Sequence, residues 1–528
     1  MLPEDAFRLH ISRLVHGEAA SGRELEALVR APNSPAILLH LVRATVETAA
    51  TTTLAEAPAP AELLLCCQLL QKTLRRAPAP ECDGSAAALL PLVRTAAAMG
   101  CGWTPVLTQL SLSVAVLLIR TETWTDAQLL PSLAAALGVE LSSSPTLSAH
   151  AALLSILTLL GEEVHSPASR LSDAPVRVAA VRQELRHSAA AVLAAAAASC
   201  ELAVANGCPR QVGCAMLCGR AWCAAGLVEP RLACSSALLV QIPLHALGSP
   251  QLAHAAAETL CAALSATFEA PAQAVGSSAV KGGRGGSGGR GGVRGCAGGD
   301  GGDESGSGEP ASGACLVALT SALLPQLQQR RGTLHAAMVV AQGTEQLAQL
   351  VASIPPQHPQ PDAAAQSSHA QGILASWLQE LLSATEALPS SDCGLVLGTW
   401  PAIQEVADTA APESPLSAIL SQTRGPLLVA LTRGVGSLPL DSSDRSSEDL
   451  EDIHLLREET RGVLRGAVMV DAASACAAVA LLQPHADAAI ARASAGAALG
   501  TSWQAWTAPR LPYTRCCLLP TRMRQRTC

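Results

Sequence analysis

Residues 153–193 read LLSILTLLGEEVHSPASRLSDAPVRVAAVRQELRHSAAAVL, two helical patterns joined by a short polar link. Leu153, Leu157 and Leu160 share one face of the first. Gly161 is expected to end it, because glycine takes the left-handed geometry of a C-terminal cap without steric penalty. Ser172 or Asp173 can cap the second pattern, and Pro175 is tolerated in its first turn. Val178, Val181, Leu185, Ala189 and Val192 then return at helical spacing. Neither apolar stripe is wide enough to stand alone, so each helix needs neighbours on both sides. That requirement is the physical signature of stacked helical repeats.

A chain of 528 residues is too long for one compact core, which leaves several domains or a solenoid. Hydrophobic residues make up 49% and aromatics only 2%. Much of the apolar share is Ala and Leu, the strongest helix formers, and an all-α protein follows. Residues 1–54 give three apolar-periodic segments broken at Gly17 and at Asn33, Ser34 and Pro35. Further segments fall at 62–76, 85–99, 104–120, 125–137, 211–225, 232–247 and 251–268. Counted two helices at a time, the period is roughly 40 residues, that of HEAT or armadillo arrays. The expected fold is therefore an all-α solenoid, a HEAT/ARM-type superhelix of antiparallel helix pairs.

Within this array, residues 276–313 are a Gly/Arg-rich insertion that cannot bury enough apolar surface to order itself. Periodicity resumes at 315–350, lapses at IPPQHPQPD, and continues through 371–387, 415–435, 447–470 and 471–499. The reading divides the chain into repeats over 1–275, the insertion at 276–313, repeats over 314–500 and an irregular tail at 501–528.

The candidate chemistry is sparse. Gly285–Gly289 spells G-x-S-x-G, yet a nucleophile elbow needs a strand before it and a helix after it, and neither is expected there. Lys281, Arg284, Arg290 and Arg294 have the look of an RNA-contacting Arg/Gly segment, but no aromatic is present to stack on bases and Asp300, Asp303, Glu304 and Glu309 follow directly. Cys200, Cys208, Cys214, Cys218, Cys223 and Cys234 form the densest thiol cluster. Cys214 and Cys218 are one helical turn apart, a spacing suited to a helix face more than to a zinc knuckle, and core packing is the expectation for the group. The same holds for Cys66, Cys67 and Cys261. Glu162 and Glu163 invite an acid/base reading, but a position just past a helix stop makes local capping the expectation. No P-loop, HExxH or dinucleotide fingerprint occurs, so neither an enzyme nor a cofactor is expected.

Asp441, Asp444, Glu448, Asp449, Glu451 and Asp452 precede a helical pattern and are its natural N-terminal acids. They are also the best candidates for an acidic surface that binds an Arg-rich partner or a GTPase. A formal net charge of −8 fits a receptor for basic partners and argues against a general nucleic-acid coat. No secretory leader pattern opens the sequence, no N-glycosylation sequon occurs, and the Ala-rich run 188–205 carries Glu201 and makes a poor membrane span. With 18 sparsely placed cysteines, a reduced intracellular compartment without membrane insertion is expected.

Leu160, Glu162, Glu163, Val164, His165 and Ser166 follow a Leu-rich helix, and with Gly161 standing for Pro this phrase resembles the importin-β superfamily, specifically the transportin-SR and importin-thirteen branch. Cys218, Trp222 and Gly226 resemble its C-x3-W-x3-G helix, and Leu252, Ala255, Ala256, Glu258, Cys261 and Leu264 another of its helices. The stretches 427–431, 441–452 and 457–464 resemble a later repeat with an acidic insertion, so the resemblance spans about 60–490. It implies a monomeric nuclear import receptor that shuttles between cytoplasm and nucleus through the pore. Such a receptor would hold Ran GTPase on its N-terminal repeats, carry basic or Arg/Ser-rich cargo, and take Phe/Gly nucleoporin repeats between its outer helices. By repeat count the chain is expected to be the N-terminal half of such a receptor. The competing expectations are a generic helical-repeat scaffold without Ran and an RNA-associated protein acting through its Arg/Gly insertion.

Overall fold

The computed structural model describes residues 3–31, 33–52, 61–76, 84–120, 129–139, 146–165, 175–268, 311–354, 361–388, 394–410 and 414–437, with the single residues 476, 480 and 483. Among them there are helices and turns but no strand. The α-helices are α1 (Pro3–Val15), α2 (Ser21–Val29), α3 (Ser34–Thr52), α4 (Ala61–Arg76), α5 (Ser85–Ala98), α6 (Thr104–Arg120), α7 (Leu129–Leu137), α8 (Leu147–His165), α9 (Pro175–Ala205) and α10 (Pro209–Ala224). They continue as α11 (Pro230–Ser235), α12 (Gln241–Ala246), α13 (Ala253–Thr267), α14 (Ala311–Gln328), α15 (Leu334–Ser353), α16 (Pro361–Ala387), α17 (Gly394–Leu397), α18 (Thr399–Thr409) and α19 (Pro415–Ser437).

Helices pack on their chain neighbours and also on the helix two positions away. α4, α6, α8, α10, α13 and α15 form one continuous row, while α3, α5, α7 and α9 and then α11, α14 and α16 cover its other side. This is the all-α HEAT/ARM solenoid: each repeat buries its stripe against the repeats before and after it. α6 shows why no helix could stand alone. Leu110, Val114 and Leu117 are fully buried, and Val116 and Ile119 nearly so, because α4, α5 and α8 all close on it. By length and composition alone α6, α8 and most of α9 could cross a membrane. In the fold, their apolarity is used in contacts with neighbouring helices.

The loop signals at the start of the chain are obeyed. Gly17 and Asn33 both take positive φ, at 94° and 69°, between α1, α2 and α3. The second stripe of the 153–193 pair is buried as expected at Val181, Leu185, Ala189 and Val192, and the first at Leu153, Leu157 and Leu160.

Several expectations about where helices begin and end change. Gly161 does not stop its helix: α8 runs on to His165, and Val164, one turn beyond Leu160, continues the buried stripe. The segment 232–247 is two short helices and not one. A continuous helix would drive the Pro243 ring into the carbonyl four residues earlier, and the chain instead breaks at Ser236 in an extended conformation. The segment 315–350 is likewise divided, at Gly332 with φ 81°. α18 has no counterpart among the expected helices; it is short, carries Pro401 in its first turn and is held by the buried Trp400 and Ile403.

Candidate functional site

The first candidate surface lies beyond reach of the structure: Asp441, Asp444, Glu448, Asp449, Glu451 and Asp452 fall outside the described residues, as do Ser166, the caps Ser172 and Asp173, residues 276–310 and the tail 501–528. Gly161 and Trp222 meet in the seam between α8 and α10. Of the other signature residues on α8, Leu160 and Val164 are buried, Glu162 faces solvent from within the helix, and His165 is its exposed last residue. Glu162 and Glu163 therefore stand on a helix and not after one.

Trp222 organises the seam. It is fully buried, and its Nε1 donates to the Leu157 carbonyl oxygen at 2.9 Å. Gly161 lets the two helices approach: a Cβ there would stand 3.2 Å from Trp222 Cδ1 and 3.3 Å from the Ala221 carbonyl carbon. Cys218, one turn before Trp222, is fully buried, and burial pushes its thiol up to about 12. Gly226 then closes α10 with φ 65°; its N–H bonds the Cys223 oxygen at 2.9 Å, and the Leu227 N–H bonds the Trp222 oxygen at 3.1 Å. The C-x3-W-x3-G phrase is thus a packing lock and a helix stop.

Of the cysteine cluster, Cys200, Cys218 and Cys223 are buried, Cys208 and Cys234 half-buried, and Cys214 exposed. Core packing describes the first three and corrects the expectation for Cys214. Cys66 and Cys67 are buried as expected, and Cys261 is half-buried. Among the described residues no group of three His, Cys, Asp or Glu side chains is arranged to hold a metal ion.

A set of ion pairs and hydrogen bonds ties distant repeats together. Arg75 Nη2 of α4 meets Glu163 Oε1 of α8 at 2.5 Å, bypassing α6. Arg210 Nη2 of α10 meets Thr104 Oγ1 of α6 at 2.5 Å, bypassing α8. Each of these contacts therefore links two helices that are separated by one other helix in the row α4–α6–α8–α10.

Other ion pairs join neighbouring elements in the same way. Glu26 of α2 takes Lys72 Nζ at 2.5 Å and Arg76 Nη1 at 3.0 Å, and those hydrogen bonds hold its carboxyl down at about 2. Farther along, Arg220 Nη1 pairs with Glu258 Oε2 at 2.5 Å between α10 and α13. Helix ends are closed by arginines of neighbouring elements: Arg120 donates to the Leu74 oxygen, Arg182 Nη2 to the Val164 oxygen at 3.0 Å, and Arg186 Nε to the Gly226 oxygen at 2.9 Å. Carbonyls left open at helix C-termini carry partial negative charge, and guanidinium groups suit them. None of these pairs has a local sequence signature, since the members of most of them lie 40 to 106 residues from each other in the chain.

No curated protein matches the chain. Among solved structures, one similar chain is a circular tandem repeat protein with novel repeat topology and enhanced subunit contact surfaces. That likeness covers 99% of this chain and 97% of the other at 14% identity and a TM-score of 0.20, a level that carries no weight for the fold. Residues 104–260, from α6 into α13 and including the whole α8–α10 seam, match the family model of Exportin 1-like protein, which supports a relationship with the importin-β superfamily.

Proposed function

We propose that this chain acts as an importin-type nuclear transport receptor, which binds Ran GTPase and protein cargo on the inner side of its solenoid and performs no chemical step. The observation that carries this reading is the family match over 104–260, the segment that holds α6, α8 and α10. A solenoid suits such a task because each repeat touches only its neighbours, so small rotations between repeats add up along the array. Two partners that prefer different curvatures then oppose each other's binding through one shared coupling energy.

In this reading cargo is basic or Arg/Ser-rich and is drawn by the acidic residues 441–452. Phe/Gly nucleoporin repeats enter between outer helices, and the protein shuttles as a monomer between cytoplasm and nucleus. The finer placement in the transportin-SR and importin-thirteen branch rests on the LLGEEVHS phrase at 159–166.

The test is a pull-down of the full chain with Ran loaded with GTP or with GDP, in the presence and absence of an Arg/Ser-rich peptide. An import receptor binds the GTP form selectively and releases the peptide when it does so. Recovery of Ran in neither nucleotide state would leave a helical scaffold without Ran, the second reading, which is favoured by the confinement of the family match to 104–260. Cargo binding that rises with Ran-GTP would reverse the direction of transport.

A further inference from the structure

The buried thiols of the core are inert, but one pair sits differently. Cys234 is in α11 and Cys315 is in α14, and these helices pack directly on each other. The Cys234 Sγ lies 3.2 Å from the Cys315 carbonyl oxygen, although the two residues are 81 positions apart in the chain. Both are free thiols and both are half-buried, so solvent and small oxidants reach them. The intervening chain leaves α13, passes through residues 269–310 and returns at α14. The α11–α14 contact thus joins the repeats on either side of that segment.

We propose that Cys234 and Cys315 are a redox pair, which a disulfide oxidant converts into a covalent staple between α11 and α14. In the first step the Cys315 thiolate attacks one sulfur of the small-molecule disulfide. A mixed disulfide forms and one thiolate leaves. Cys234 then gives its proton to solvent, and its sulfur attacks Sγ of Cys315, expelling the second small thiolate. Two protein thiols are oxidised, one disulfide bond is reduced to two thiols, and no atom is left over.

The order of the steps follows from the surroundings. The Cys234 S–H donates to the Cys315 carbonyl oxygen at 3.2 Å, and burial, first among the causes, pushes that thiol up. Held in the thiol form, Cys234 follows and does not lead, because the thiolate is the reactive form. Closure also removes freedom from a long loop in the unfolded chain, which is where such a bond stabilises most. In the native solenoid it fixes the angle between the two flanking repeats, and reduction restores their play.

The experiment uses the full chain, reduced and then exposed to glutathione disulfide, followed by alkylation of remaining thiols, tryptic digestion and mass spectrometry without reduction. The expected product joins the peptide 232–281 to the peptide 295–330, with fragmentation placing the bond at Cys234 and Cys315 and not at Cys261 or Cys296. The protein runs as a single chain on a non-reducing gel. Cys234→Ser and Cys315→Ser each lose the cross-link, and Cys261→Ser keeps it. Amide exchange in α14 slows on oxidation of the wild type and recovers with dithiothreitol, a measurement that needs no variant to fold. Absence of the link after exhaustive oxidation, or a link that survives in Cys234→Ser, overturns the proposal.

Discussion

The indole Nε1 of Trp222 donates across the α8–α10 seam to the carbonyl oxygen of Leu157 at 2.9 Å. Residue 161, four positions on, is the one whose own N–H uses that carbonyl in a regular helix, so the acceptor is shared. Trp377 repeats the arrangement farther along, with Nε1 3.3 Å from the Thr320 oxygen between α16 and α14. Both indoles are fully buried. Trp222→Ala is expected to cost about 3–5 kcal/mol, from lost transfer energy and the cavity left behind. Trp222→Phe keeps most of the volume but gives up the hydrogen bond, and is expected to cost about 1–2 kcal/mol. Denaturant titration of both variants checks the order, and a phenylalanine variant as damaged as the alanine would show that the bond is not what the seam depends on.

Three glycines give a graded series. At Gly372 of α16 an added methyl group would meet nothing within 4 Å, so Gly372→Ala is expected to stabilise by about 0.5–1 kcal/mol through helix propensity alone. At Gly161 the same gain is opposed by backbone of Ala221 at 3.3 Å, which cannot turn aside, and a net loss of about 1 kcal/mol is expected. At Gly343 the added carbon falls 2.1 Å from Cζ3 of the fully buried Trp377. Gly343→Ala is expected to be the worst of the three, at about 3 kcal/mol or more. Melting temperatures in the order 372, wild type, 161, 343 are the expected readout. Any other order breaks the argument from clearance.

Those glycines also mark where sequence reading stops. The stripes at 153–160 and 181–192 were legible because a helix buried on one side repeats its apolar residues with the helical period, whatever it packs against. The role of Gly161 depends on Trp222, far along the chain on another helix, and glycine reads locally as a stop. Arg75 and Glu163 lie 88 positions apart, and nothing in either neighbourhood announces the pair. Cys234 and Cys315 are hidden in the same way, by 81 positions of intervening chain. Of the candidate site, residues 159–165 lie on α8, where Leu160 and Val164 are buried packing residues. The acidic candidates at 441–452 lie outside the described residues.

The Arg331–Glu380 pair clamps the turn between α14 and α15 onto α16. Arg331 Nε stands 2.8 and 2.9 Å from the two carboxylate oxygens of Glu380, and Nη2 is 2.5 Å from Oε2. Glu380 is 3% exposed, whereas the Arg331 side chain is half in solvent. Arg331→Ala leaves a buried carboxylate without its partner and is expected to cost about 2–3 kcal/mol, below the range for a fully buried pair because water reaches the vacated place. Arg331→Lys is expected to recover less than half of that, since an ammonium cannot match the two-oxygen geometry of the guanidinium. A lysine variant indistinguishable from wild type in denaturant would mean that charge alone holds the turn.

His150 of α8 supplies a pH dependence. It is 2% exposed, and its Nδ1 lies 2.5 Å from Ser199 Oγ of α9, whose hydroxyl donates to the Ala195 oxygen at 2.9 Å. The hydroxyl proton being committed, the imidazole donates from Nδ1 and leaves Nε2 unprotonated, buried and without a partner. A second proton would bring a buried charge and an N–H with no acceptor, and burial accordingly holds the imidazole below the ordinary value of 6.5. Because the unfolded chain binds that proton more readily, the contribution of His150 to stability is complete above pH 6.5 and declines as the pH falls toward the lower folded-state value. His150→Leu removes the titration, so the difference in unfolding free energy between variant and wild type should change with pH below about 6.5, by at most about 1.4 kcal/mol per pH unit for one proton. The comparison cancels the other histidines of the chain. A difference that stays constant from about pH 8 to about pH 5 would mean that His150 binds its proton equally well in the folded and unfolded chain, and that burial does not set its titration.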